Sequence, residues 1–190
     1  MEKCEDKTMT VKEELEILLE KLLKGYEATS GGFPLNPKRK DINPIIYIGE
    51  PDANGWSRWK PIKQTPNDEF LSLLESLNIE ANQDVTEYFT SYYFLAFSIK
   101  YKSYVIGLSD IAPEAKIKRL KMKFENFRDN RDGKIKYVPI GVEGGIGYSV
   151  VVEVKTGLVK FFDSENGRTR KIATSLQDFL KNSEPIITPG

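Results

Sequence analysis

Residues 148–155 constrain this chain more than any other stretch. Tyr148, Val150, Val152 and Val154 alternate with Ser149, Val151, Glu153 and Lys155. That is a period of two in β-branched and aromatic residues, which a pleated strand satisfies and a helix does not. Thr156-Gly157 supplies a turn, and residues 158–162 return with further alternation. The segment 137–162 therefore reads as a β-hairpin on which an antiparallel sheet is built.

The rest of the chain divides into helices and strands around that hairpin. Thr10 and Glu13 make a capping box, with hydroxyl and carboxylate answering each other's backbone N–H groups. Val11, Leu15, Leu18 and Leu22 follow on one face, Leu19 and Leu23 widen it, and Gly25 marks the expected end of a helix over 10–24. We read it as a helix laid on the core rather than one offered to a partner. Residues 30–40 are rich in Gly, Pro and basic side chains and read as loop. Asn54-Gly55 joins 45–48 to 56–60 as a first hairpin. On it Trp56 and Trp59 fall on opposite faces, one for the core and the other for a partner or for cover by a loop. Thr65-Pro66 starts a helix carrying Phe70, Leu73, Leu74 and Leu77. Asn82-Gln83-Asp84 starts a second with Val85, Tyr88, Phe89 and Tyr92, leading into a strand 94–100 that pairs with 104–108. Ile117, Leu120, Phe124 and Phe127 predict a helix to about Arg128, and Ile172, Leu176, Phe179 and Leu180 a last one over 172–180, after an Asn166-Gly167 turn. The expected fold is α+β: a single 1–190 domain with a mainly antiparallel sheet packed by several helices, a flexible 1–9 leader and a 181–190 tail.

Composition removes whole classes of chemistry. The chain has no histidine, so Ser-His-Asp and Cys-His catalysis are excluded, as is the commonest metal ligand. The single cysteine, Cys4, has no partner for a disulfide or a cysteine zinc site, which fits a reducing interior. No apolar run approaches the ~18 residues of a membrane span, and the first ten residues are charged rather than signal-like. Lys+Arg and Asp+Glu both number 28, so no overall charge attracts a polyanion. The most basic surface is the helix face with Lys116, Lys118, Arg119, Lys121 and Lys123. It suits phosphates or anionic lipid, but a solvated helix face is the plainer reading. The aromatics of 88–93 lack the cations of a single-strand channel, and we expect no nucleic-acid partner. The glycines of 141–147 precede a strand rather than a helix, so they read as a turn and not a phosphate cradle. The 163–174 segment has Arg168 and Thr174 where a calcium loop needs Gly and Glu. Neither a cofactor nor a small-molecule substrate is expected.

The C-terminal third adds a family resemblance. Lys155-Thr156-Gly157-Leu158-Val159, the Asn166-Gly167 turn, Arg170, and Ala173-Thr174-Ser175-Leu176-Gln177-Asp178-Phe179-Leu180 come in the order of the Syd family of SecY-interacting proteins. Asp84-Val85 with Tyr88-Phe89-Thr90-Ser91-Tyr92-Tyr93, Phe33-Pro34-Leu35 and Trp59-Lys60-Pro61 also resemble stretches of that family. The resemblance spans roughly 33–180, with 111–137 matching only as a helix bearing Phe124-Glu125-Asn126-Phe127. It implies the α+β fold of the SUKH superfamily and a non-catalytic cytoplasmic protein, free or peripheral on the membrane, that binds basic loops of the SecY channel through an acidic surface. Because the chain is neutral overall, the other role in the superfamily, an immunity protein neutralising a protein toxin, stays open. The candidate contact residues are Trp56 or Trp59 as aromatic anchor and Asp84, Glu87, Asp110 and Glu114 as rim carboxylates. Each of those carboxylates also has a structural reading, as a charge near the start of a helix.

Overall fold

The computed structural model describes residues 9–29, 32–114 and 116–188. In chain order its elements are α1 (Val11–Thr29), β1 (Leu35–Pro37), β2 (Tyr47–Ile48), β3 (Trp56–Trp59), β4 (Ile62–Lys63), α2 (Glu69–Ser76) and α3 (Gln83–Ser91). There follow β5 (Tyr92–Tyr93), β6 (Phe97–Tyr101), β7 (Tyr104–Leu108), α4 (Lys116–Glu125), β8 (Tyr137–Glu143), β9 (Ser149–Glu153), β10 (Val159–Phe162), β11 (Thr169–Ala173), α5 (Leu176–Lys181) and β12 (Ser183–Pro185). Cys4 and most of the expected leader lie outside the described residues.

The hairpin expected at 137–162 is the centre of a seven-stranded antiparallel sheet ordered β11-β10-β9-β8-β7-β6-β12. Val152 pairs with both Val159 and Val138, which fixes the register of three adjacent strands. Alternation is cleanest on β6, where Phe97, Ile99 and Tyr101 are buried and Lys100 is exposed. On β9 it is overridden: Val151, expected on the open face, is as buried as Val150 and Val152. That second face carries Phe162 on β10, with the rings of Phe127 and Tyr137 at 5.2 and 6.0 Å.

The sheet curls. Tyr104 of β7 and Phe161 of β10 have two strands between them, yet their rings lie edge-to-face at 4.9 Å. Tyr101 Oη and Lys102 Nζ both donate to the carbonyl of Ile172 on the far edge strand. Irregular register between Pro139 and Gly141 and between Val159 and Lys160 supplies the extra twist. At the first of these a Cβ on Gly141 would stand 2.5 Å from the carbonyl oxygen of Gly107, so only glycine allows the strands to meet there.

α1, α3 and α5 pack together beside this sheet. The capping box of α1 is formed as expected: Thr10 N–H donates to Glu13 Oε2 at 2.7 Å and Glu13 N–H to Thr10 Oγ1 at 3.2 Å. Leu15, Leu18 and Leu22 are fully buried, each worth about 1.5–3 kcal/mol of transfer free energy. The helix does not stop at Gly25 but continues to Thr29. The glycine serves packing instead, because a Cβ there would be 2.5 Å from Ile187 of the C-terminal segment.

Four other expectations are corrected. The 30–40 loop contains β1, which pairs with β3. The helix expected from Thr65-Pro66 begins at Glu69, where Asn67 Oδ1 accepts the first N–H. The last helix, expected from Ile172, starts at Leu176 behind a Ser175 cap accepting from Asp178 N–H at 2.9 Å, because Ile172 and Ala173 end an edge strand over 169–173. The 181–190 tail includes β12, which adds to the free edge of β6.

Candidate partner-binding site

The N-terminus of α3 is fixed by Asn82, whose side chain accepts from Val85 N–H at 3.1 Å. This cap places Asp84 and Glu87 one turn apart on the same face of α3. Glu87 Oε2 accepts from Lys12 N–H at 3.3 Å, so it also caps the first turn of α1, and Gln83 Nε2 donates to its other oxygen at 2.8 Å. No cation among the described residues pairs with either carboxylate. Asp84 is consequently pushed above the ordinary carboxylate range, first by burial and then by the charge of Glu87. Asp84 and Glu87 are thus two like charges side by side on α3, with no ion pair to either among the described residues.

Asp110 and Glu114 differ in this respect. Asp110 is nearly enclosed, with Arg119 bonded to it and Arg39 and Lys123 each at 3.4 Å. Arg119 also bonds Asp41, tying the segment before β2 to α4. Asp110 is therefore neutralised within the chain. Glu114 is exposed at φ +64° and accepts from Asn43 Nδ2. These two residues belong to a separate place in the fold, built from α4, the loop before it and residues 39–43.

The two tryptophans divide as their parity requires. Trp59 is completely buried against Phe97, and its indole N–H has no partner among the described residues. It belongs to the core and is out of a partner's reach. Trp56 is 43% exposed beside the hairpin turn, which Asp52 Oδ1 holds by accepting from Asn54 and Trp56 N–H at 2.8 and 2.9 Å. Trp56 lies on β3, in the three-stranded sheet with β1 and β2 rather than on α1 or α3. The sequence candidates thus form an acidic pair on α3, a neutralised carboxylate beside α4 and one surface ring on β3.

A family model described as Syd protein (SUKH-2) matches residues 12–185. The chain belongs to the Syd family. No curated protein matches it. Among the described residues of this Syd-family chain no helix is long and apolar enough to cross a membrane. Among the described residues no group of three or more His, Cys, Asp or Glu side chains is placed to hold a metal.

Fold context enlarges the acidic pair of the Syd chain with residues the sequence reading left out. Along α1, Glu16 and Glu20 follow Lys12 at spacings of four, on the side that meets α3. The Tyr92 hydroxyl, just past the end of α3, hydrogen-bonds Glu16, and both glutamates hold that phenol well above its usual value, after burial. Glu16, Glu20, Asp84 and Glu87 thus line the seam where α1 and α3 run side by side, and among the described residues only Glu20 of the four is in an ion pair, with the exposed Lys24 at 3.5 Å. Ile17, partly exposed, stands among them on α1. The spacing of Glu13, Glu16 and Glu20 was the available signal. The other end of the seam adjoins the β9–β10 turn, since a Cβ on Gly157 would be 2.7 Å from Asn82 Nδ2 and 3.4 Å from Asp84 Oδ2. Thr156 of that turn also lines a cleft of about 800 Å³, together with Leu77, Ile135, Val154 and charged residues of both signs.

Proposed function

We propose that this Syd-family chain is a non-catalytic binding module that docks on basic cytoplasmic loops of the SecY channel through the seam between α1 and α3. The observation that carries the reading is the unpaired Asp84–Glu87 couple, extended by Glu16. A Lys/Arg-rich loop supplies the missing cations, and its approach relieves the repulsion between the two carboxylates. The neutral total charge is compatible with this, because a partner meets a local field and not the sum. Half-exposed carboxylates give fast, salt-sensitive association rather than a long-lived complex. The protein thus acts on the cytoplasmic face of the membrane, as a peripheral binder held by the channel. Cavity and seam both suit an extended segment of another protein.

The test is a pull-down from host lysate with detergent-solubilised membranes, washed at low and high salt, for the wild type and for Asp84→Asn/Glu87→Gln. The reading expects SecY with the wild type at low salt, released at high salt, and absent from the double variant. A soluble toxin retained through the high-salt wash, with no SecY at either salt, contradicts it and makes the chain an immunity protein.

A further inference from the structure

We propose that the outer edge of β11 takes up an extended, acidic segment of a protein partner as a further strand of the main sheet. β11 ends the strand order on one side, while at the opposite end β12 covers β6 and is itself packed against α1. Thr169, Arg170 and Lys171 are all exposed, so no element of the chain lies over this stretch. The hairpin geometry fixes which main-chain groups are free. Asp163 N–H donates to Arg168 O at 2.9 Å, and in an antiparallel ladder the next hydrogen-bonded pair is then Phe161 with Arg170. Thr169 and Lys171 therefore turn their N–H and C=O groups away from β10, toward the outside of the sheet. Beyond them the carbonyl of Ile172 is taken by Tyr101 Oη and Lys102 Nζ, which confines docking to 169–171.

Main-chain bonds give such an edge its affinity, and its side chains decide the occupant. From Arg168 to Ala173 the strand carries Arg168, Arg170 and Lys171 and no acid, and none of these cations is in an ion pair among the described residues. Lys171 stands directly opposite Lys160, whose amine is held by Glu153 at 2.7 Å. Lys171 is left with a like charge across the pair and no counter-ion, and an acidic side chain on an added strand supplies one. Arg170 lies on the other face, its guanidinium 5.3 Å from the ring of Phe161 and 5.7 Å from that of Tyr104, with Glu143 near enough to feel its charge. The acids Asp163 and Glu165 belong to the turn beyond the strand. There Asp163 accepts from Glu165 N–H and Asn166 Nδ2, and the exposed Glu165 weakens the field of Arg168. Along the edge itself the charges left over are Lys171 and, at its end, the exposed Lys102. A second copy is excluded as the occupant, because antiparallel pairing of two β11 strands sets Arg170 and Lys171 of one protomer against the same cations of its partner.

The inference does not rest on the SecY reading, whose partner segment is basic, and its test uses the full chain without SecY. The chain is titrated against a fluorescein-labelled peptide alternating Glu with Thr, the same peptide N-methylated at alternate residues so that its main chain cannot pair, and a Lys/Thr peptide. Anisotropy reads the binding, and amide hydrogen exchange locates it. The proposal expects saturable binding of the Glu/Thr peptide at low salt, none of the other two, and slowed exchange at the Thr169 and Lys171 amides. Lys171→Glu should weaken binding about tenfold. Thr169→Pro removes one outward N–H and leaves the pairing with β10 intact, so it should weaken binding by a similar factor at unchanged Tm. Failure of the Glu/Thr peptide to bind, equal binding of the N-methylated peptide, or protection confined to other strands overturns the proposal. So does Lys171-dependent binding of a single-stranded oligonucleotide with no peptide binding, which would make the edge a nucleic-acid site.

Discussion

At the scale of single residues, Asp84 and Lys116 are both held away from their ordinary states, and each makes a pH-dependent prediction. Asp84 is raised by burial and by Glu87, so on the way up in pH the unfolded chain releases this proton before the folded one does. Stability attached to Asp84 is therefore present below the unfolded value and lost as pH rises through the folded value. Asp84→Asn should raise the Tm at pH 7 and lose that advantage at pH 3, while weakening the binding of a basic segment. Thermal unfolding at both pH values checks this, and an unchanged or lower Tm at pH 7 contradicts it. Lys116 is pushed down to about 8 by burial, which Glu69 only partly offsets. Its penalty is in full force below about pH 8 and is relieved as pH climbs toward 10.5, the value for a free lysine. Gln64, its bonded partner, donates to the carbonyls of Phe89 and Tyr92 at 3.2 and 2.8 Å and stays anchored without it. Wild-type stability relative to Lys116→Met should rise between pH 8 and 9.5. Denaturant unfolding across that interval measures it, and a flat difference would mean that the amine is solvated.

At the scale of elements, the two close-packed glycines separate by what stands in the way. Gly141→Ala meets backbone of the neighbouring strand, which cannot move without breaking the β7–β8 pairing, and should cost about 2 kcal/mol or more. Gly25→Ala meets only the end of the Ile187 side chain and should cost less than about 1 kcal/mol. Urea denaturation of both variants gives the comparison, and equal losses would contradict it. The same elements show what was legible in the sequence. The 148–162 hairpin, the Thr10–Glu13 box, the Asn82 cap and the opposite faces of Trp56 and Trp59 were readable because each depends on residues a few positions apart. β11 was not, because Thr169, Arg170 and Lys171 are all exposed on an edge strand and carry no alternation. β12 was not, because Ser183-Glu184-Pro185 has no strand signal of its own and is recruited by the free edge of β6. The candidate acidic seam was legible in half. Asp84 and Glu87 were found as helix-start carboxylates, whereas Asp110 looked equivalent until Arg39, 71 residues earlier in the chain, and Arg119 closed on it. Glu16 lay on what reads locally as a solvent face, and only the packing of α3 against α1 turns it into part of a seam.

At the scale of the whole molecule, a chain with no net charge sorts its charges by place. The α1–α3 seam is acidic, and Asp84 and Glu87 are in no ion pair there among the described residues, while on the α4 face Asp41 and Asp110 are neutralised by Arg39, Arg119 and Lys123. A molecule with no net charge can thus still draw a basic protein loop to one surface. The measurement that tests this account most directly is a titration of purified SecY in lipid nanodiscs with the full chain, at several salt concentrations, for the wild type and for Asp84→Asn/Glu87→Gln. The account predicts binding whose affinity falls steadily as salt rises and drops at least about tenfold in the double variant at low salt. Binding that ignores both salt and the two carboxylates, or no binding of the wild type at low salt, would contradict it.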